Sequence, residues 1–173
     1  MTSRFVSEDP DELVQAERDV RARIGDLPFD FDAMAAISNI YRAANVVRNH
    51  MEHNVLADYD LSWGAFTVMF VLWIWGDQQT RDLAAEAGVT KGTLTGVLKT
   101  LEARRFVQRR PHDDDGRLVL VHLTDGGRRA IEDLFPRFNA EETFSSSALD
   151  PDATRQLAGS LRTIIRTIKG DLG

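Results

Sequence analysis

Residues 80–124 read TRDLAAEAGVTKGTLTGVLKTLEARRFVQRRPHDDDGRLVLVHLT, and this run decides the fold. Its first half predicts two short helices. Thr80 reads as the cap of a helix over 81–87 that ends at Gly88. Gly88 falls where the chain must pass through a left-handed turn, which a residue without a Cβ does at no steric cost. Thr90 caps a second helix over 91–104. Leu83 and Ala84 face inward from the first helix, and Ala84 is small enough to let the two helices cross closely. Val89 plugs the turn. Leu94, Val97, Leu98 and Leu101 form the buried side of the second helix. Its other side offers Thr90, Lys91, Thr93, Thr95 and Lys99. Short hydroxyl side chains suit close approach to base edges, and cations suit phosphates. Taken alone, these two helices also fit a plain helical hairpin with a solvated basic face.

The second half of the run argues against the plainer reading. Residues 105–110 read as a strand, 111–116 as a polar turn, and 117–123 as a second strand. In the second strand Leu118, Leu120 and His122 alternate with Val119, Val121 and Leu123, as strand geometry requires. A helix-turn-helix that leads straight into a two-stranded hairpin is a winged helix. The approach carries Arg104, Arg105, Arg109 and Arg110, and the wing itself carries Arg117. A wing beside a duplex places an arginine in the minor groove, where negative potential is focused. The acids at the tip oppose that role, unless one of them pairs with Arg117 and fixes its direction.

The flanking sequence is helical. Asp9-Pro10 starts a helix over 10–24 with Leu13, Ala16, Val20 and Ile24 on one stripe and Gly25 as its stop. Residues 33–57 repeat Ile37, Ile40, Tyr41, Ala44, Val47, Met51 and Val55 at helical spacing, and a break is expected at 58–61. Ser62 caps a third helix that is apolar nearly all round, which places it in the core. Residues 76–79 read as a polar loop. Thr124 caps a helix over 125–145, where Pro136 predicts a kink or break. Asp150-Pro151 opens a last helix with Leu157, Leu161, Ile164, Ile165 and Ile168 on one face.

The chain has 173 residues, 43% of them apolar and 28% charged, which is an ordinary composition able to bury a core. Formal net charge is −6, yet residues 91–129 hold nine basic and five acidic side chains, a local +4. A polyanion binds the local patch rather than the total. The absence of cysteine excludes disulfides, thiolate metal sites and a thiol nucleophile. No nucleophile elbow, phosphate-cradling glycine loop or His-Glu-x-x-His motif is present, so no enzyme and no cofactor is expected. The apolar run Trp63–Trp75 is too short to span a membrane, and the acidic N-terminus carries no signal-peptide pattern. A cytoplasmic protein is expected.

Several of these runs together resemble the MarR family of winged-helix transcriptional regulators. The resemblance is carried by GVTKGTLTGVLKTLE from Gly88, by Arg109-Arg110-Pro111, by Asp115-Gly116-Arg117, and by VHLTDGGR from Val121. It covers roughly residues 33–170. It implies a mainly α homodimer with a two-stranded β wing, a recognition helix at 91–104, and dimerisation by the outer helices. It also implies that Asp115 orients Arg117 toward the minor groove. Arg105 departs from the pattern, standing where the family usually has a glycine. The apolar stripes at 10–24, 33–57 and 157–168 agree with a dimer, because a winged helix of about 70 residues cannot cover them all. The expected division is an N-terminal extension at 1–32, a dimerisation helix at 33–61, the DNA-binding region at 62–127, and C-terminal dimerisation helices at 128–173.

The expected partner is double-stranded DNA with a pseudo-palindromic operator, its half-sites about one helical turn apart. The DNA-binding residues are Thr90, Lys91, Thr93, Thr95, Lys99, Arg109, Arg110 and Arg117, with the protein acting as a repressor. A small aromatic or anionic effector is expected from the resemblance. Arg48, His50, His53, Trp63 and Phe66 cluster on the two helices that would line its pocket, although Phe66 and Trp73 also suit the core. His50 and His53 have metal-compatible spacing but no third ligand in view, so no metal is expected. The competing reading is a winged-helix scaffold that binds protein rather than DNA.

Overall fold

The computed structural model describes residues 10–25, 27–111 and 118–170. The order is α1 (Pro10–Ile24), α2 (Phe31–Asn54), a 3-10 turn (Leu56–Tyr59), α3 (Trp63–Trp75), β1 (Gln78–Gln79), α4 (Thr80–Glu86), α5 (Lys91–Ala103), β2 (Val107–Pro111), β3 (Val119–Leu123), α6 (Asp125–Ser145) and α7 (Pro151–Gly170). The fold is mainly α with one small antiparallel sheet. The chain divides into two compact units, Met1–His50 and Met51–Gly173.

In the first unit α1 lies against α2. Ala16 is buried, and Leu13, Val20 and Ile24 are half-buried, so the predicted stripe is the packed face. Glu17 accepts hydrogen bonds from Asn39 Nδ2 at 2.8 Å and Arg42 Nη1 at 3.4 Å. The Arg21 guanidinium lies 5.2 Å from the centre of the Phe31 ring. Asp30 caps α2 by accepting from the Ala33 N–H at 2.9 Å. The Asp9 cap expected for α1 lies outside the described residues.

The second unit is built around α3. Ser62 caps it, accepting from the Ala65 N–H at 3.2 Å, and Glu52 takes the Trp63 N–H at 2.9 Å. Val68 and Met69 are fully buried, with Leu83, Leu98, Leu101 and Ile131 packed around them from α4, α5 and α6. Along one side α3 and α6 share an aromatic ladder. Phe66 stacks on Phe138 with centroids 4.1 Å apart, and Phe70 on Phe135 at 5.5 Å. Such pairs add to the apolar area they bury. The 3-10 turn is tied to α6 by Tyr59, whose hydroxyl donates to Asp133 at 2.8 Å, and by Arg137, which pairs with Asp58 at 2.6 Å. The bond to Asp133 holds the Tyr59 phenol above its ordinary pKa.

Four local expectations change. The α-helix predicted to 57 ends at Asn54, because the chain tightens into the 3-10 turn to bury Val55 and Leu56, and Asp60 turns it with φ of 50°. Residues 78–79 are not loop: they form β1, and Gln78 and Gln79 pair with Val121 and Leu120 in the sheet order β1-β3-β2. Two residues carry no alternation, so only the open edge of β3 recruits them. Thr80 is the first residue of α4 rather than its cap. Gln79 takes the cap position in an extended conformation that the sheet already imposes, and it makes no side-chain cap bond. Pro136 does not break α6. It lies on the exposed side of the helix, where a carbonyl that loses its donor is open to solvent.

Candidate nucleic-acid interface

The reading head is α5. Gly88 turns the chain out of α4 with φ of 64°, as its position demands. Thr90 then caps α5, accepting from the Thr93 N–H at 3.1 Å, and the two hydroxyl oxygens lie 2.9 Å apart. Leu94, Leu98 and Leu101 are buried, which fixes the opposite face outward. Thr90, Lys91, Thr93, Thr95 and Lys99 are all exposed on that side. The Thr95 hydroxyl donates to the Lys91 carbonyl at 2.9 Å, so its oxygen presents lone pairs to solvent.

The exit from α5 explains two residues of the sequence. The Arg105 N–H bonds to the Glu102 carbonyl and the Phe106 N–H to the Leu101 carbonyl, each at 2.9 Å, with Arg105 left-handed at φ of 60°. This is the double bond of a Schellman stop, normally built on glycine. The strand therefore starts at Val107, two residues later than predicted. The Thr124 hydroxyl donates to the Arg105 carbonyl at 2.6 Å and caps α6. Gly127 then passes so close that an added Cβ would stand 2.0 Å from the Phe106 carbonyl oxygen. Only glycine fits there.

The wing strands pair β2 with β3 in the register Val107↔Leu123, Arg109↔Val121 and Pro111↔Val119. Directly opposed residues share a face, so Arg109 lies on the side of Val107 and Val121, toward α5. It borders a groove of about 350 Å³ with Thr80, Arg81, Lys91, Thr95 and Val119. Arg110 projects from the other face and binds Asp77 through Nε at 3.3 Å and Nη2 at 3.1 Å. The two adjacent arginines of the sequence thus part company. Arg109 joins the recognition helix, whereas Arg110 ties the wing to the turn before β1. The expected Asp115–Arg117 pair lies outside the described residues.

Arg81 and Glu102 are absent from the predicted set. Arg81 follows the helix start at once and read as a boundary residue. The sequence assigns Glu102 no role of its own, yet it meets Arg109 Nε at 3.3 Å. The effector candidates fall in both compact units. Phe66 is buried in the aromatic ladder, and Trp63 is half-buried with its ring 6.2 Å from Phe66 and 6.0 Å from Phe138. His53 is exposed. Arg48 and His50 belong to the other compact unit, where Arg48 bonds Asn45 at 3.0 Å. Among the described residues no group of three His, Asp or Glu side chains is placed to hold a metal, and no helix is long and apolar enough to cross a membrane.

A helix-turn-helix whose second helix runs into a paired β-hairpin, with hydroxyls and cations outward, defines a winged-helix nucleic-acid-binding protein. Residues 61–119 match the sequence model of the MarR family. A Bacillus subtilis relative, the uncharacterized HTH-type transcriptional regulator YwaE, is 36% identical over 156 residues, covering 88% of this chain and 91% of its own. The chain belongs to the MarR family, whose members are DNA-binding transcriptional regulators. A mutant MarR from E. coli complexed with operator DNA shares the fold at a TM-score of 0.69 and 22% identity, over 78% of this chain and 96% of that one. Bordetella bronchiseptica BpsR, whose DNA binding is regulated by 6-hydroxynicotinic acid, shares it at 0.66 and 24% identity, over 72% and 94%.

Proposed function

We propose that this protein is a dimeric, sequence-specific repressor that reads an inverted repeat with α5 in successive major grooves. The carrying observation is the groove between α5 and the wing. There Lys91 and Thr95 face Arg109 in a chain whose net charge is −6. The reading assigns Thr93 and Thr95 to base edges, Lys91, Lys99 and Arg109 to phosphates, and Arg117 to the minor groove with Asp115 orienting it. Arg110 acts through the wing's placement. The outer helices supply the dimer. α7 buries none of its residues, and Leu157, Ile165 and Ile168 lie open along it. The effector is a small aromatic or anionic molecule, a class supported by the 6-hydroxynicotinic acid response of BpsR.

Selection of random-sequence duplexes by the purified protein at about 150 mM salt tests this reading. An enriched inverted repeat with half-sites about ten base pairs apart is expected. Absence of any enrichment overturns it in favour of a protein-binding scaffold. On the selected duplex, Arg117→Ala lowers affinity and reduces the salt slope by about one. Titration with aromatic acids is expected to change both tryptophan fluorescence and DNA affinity. No response in either ends the effector assignment.

A further inference from the structure

We propose that Glu102 is a positioning residue for DNA binding. It holds the Arg109 guanidinium by its Nε edge, so that the remaining nitrogens meet a backbone phosphate between the recognition helix and the wing. The inference rests on the DNA-binding reading above and deepens it.

Three observations carry it. First, Glu102 Oε1 lies 3.3 Å from Arg109 Nε, and both side chains are part-exposed rather than sealed in the core. Second, Arg109 borders the groove with Lys91 and Thr95, whereas Glu102 does not line it. Third, among the described residues no other side chain hydrogen-bonds or ion-pairs with the Arg109 guanidinium.

An arginine carries five N–H donors in a fixed fork, so engaging one edge leaves the other for a second acceptor. A long side chain ordered before binding loses less freedom when the phosphate arrives. A carboxylate beside a DNA-contacting surface otherwise repels the polyanion. Positioning and repulsion therefore predict opposite signs when Glu102 is removed.

The experiment uses the full chain and a mixed-sequence duplex several helical turns long, titrated across a range of salt. Arg109→Ala is expected to weaken binding and lower the salt slope by about one. Glu102→Ala is expected to weaken binding about 3- to 10-fold despite removing a negative charge. Glu102→Gln keeps the size of the side chain but removes the charge that pairs with Arg109, and is expected to weaken binding as Glu102→Ala does. In the Arg109→Ala background, Glu102→Ala is expected to leave binding unchanged or tighten it.

Equal thermal midpoints separate the loss of binding from a folding defect. Tighter or unchanged binding by Glu102→Ala in the wild-type background overturns the proposal, as does an equal loss in the Arg109→Ala background. Should Glu102→Ala not fold, binding by Glu102→Gln that equals or exceeds the wild type overturns it alone. A wild-type chain with no salt-dependent duplex binding removes the DNA-binding reading itself, a different outcome from wild-type binding that is insensitive to Glu102.

Discussion

Arg105 and Gly127 stand on either side of one crossing, where the end of α5 meets the start of α6, and they break the rules in opposite directions. Arg105 adopts φ of 60°, a conformation that costs a residue with a Cβ about 1 kcal/mol. It is exposed, and its carbonyl rather than its side chain makes the bond to Thr124. Arg105→Gly is therefore expected to raise stability by about 1 kcal/mol, read as a higher urea midpoint at unchanged m-value. At Gly127 the reverse holds. Its own backbone is helical, but the Phe106 carbonyl occupies the place of a Cβ. Gly127→Ala is expected to lose more than about 2 kcal/mol in the same assay, because backbone must shift on one side of the crossing. The family resemblance marks Arg105 as a departure, and nothing in the sequence pattern singles out Gly127. Only the close approach says which one requires glycine.

At the scale of elements, α5 is a helix held from one side and from its ends. Its first turn depends on Thr90, and Thr90→Ala is expected to cost about 1 kcal/mol through the lost cap. Gly96 lies within the exposed face, and a Cβ there would meet nothing within 4 Å. Gly96→Ala is expected to stabilise the fold by roughly 1 kcal/mol, since glycine is a poor helix former. Measured beside duplex affinity, the same variant reports whether that face lies close against DNA. The pair α3 and α6 is held differently, by stacked rings rather than caps. Phe138→Ala removes the partner of both Phe66 and Trp63 and is expected to cost about 3–5 kcal/mol in denaturant melts. The caps Ser62, Thr90 and Thr124 are legible in the sequence, because a capping hydroxyl acts over three residues. β1 is not, because its two residues become a strand only by meeting β3.

For the whole molecule the telling feature is α7, a two-sided helix with no fully buried residue. Ile165 is 53% exposed and Ile168 58% exposed. A stripe of that kind normally marks an interface. Under the dimer reading, Ile165→Glu with Ile168→Glu is expected to yield a monomer by sedimentation equilibrium. Its far-ultraviolet spectrum is expected to keep most of the helical signal of the second unit. A dimer that persists in the double variant assigns the contact to other faces, among them the exposed Ile37 and Tyr41 of α2.

Local chemistry made the helix-turn-helix and its wing legible in residues 80–124. Turn glycines, capping hydroxyls and the 3.6- and 2-residue apolar periods each act within a few positions, so they are written in the order of the chain. The family resemblance lies in the same run for the same reason. Which face each charge occupies was not written there. Adjacent arginines look equivalent in a sequence, but strand alternation and register send Arg109 toward α5 and Arg110 toward Asp77. Glu102 gained its partner only when α5 and β2 were brought side by side. The Arg110–Asp77 pair joins residues far apart in the chain, and the Glu102–Arg109 pair crosses the stop between α5 and β2, so both follow from how these elements close on one another. Tertiary structure alone decided them, because a contact between separate elements depends on packing geometry that no local pattern encodes.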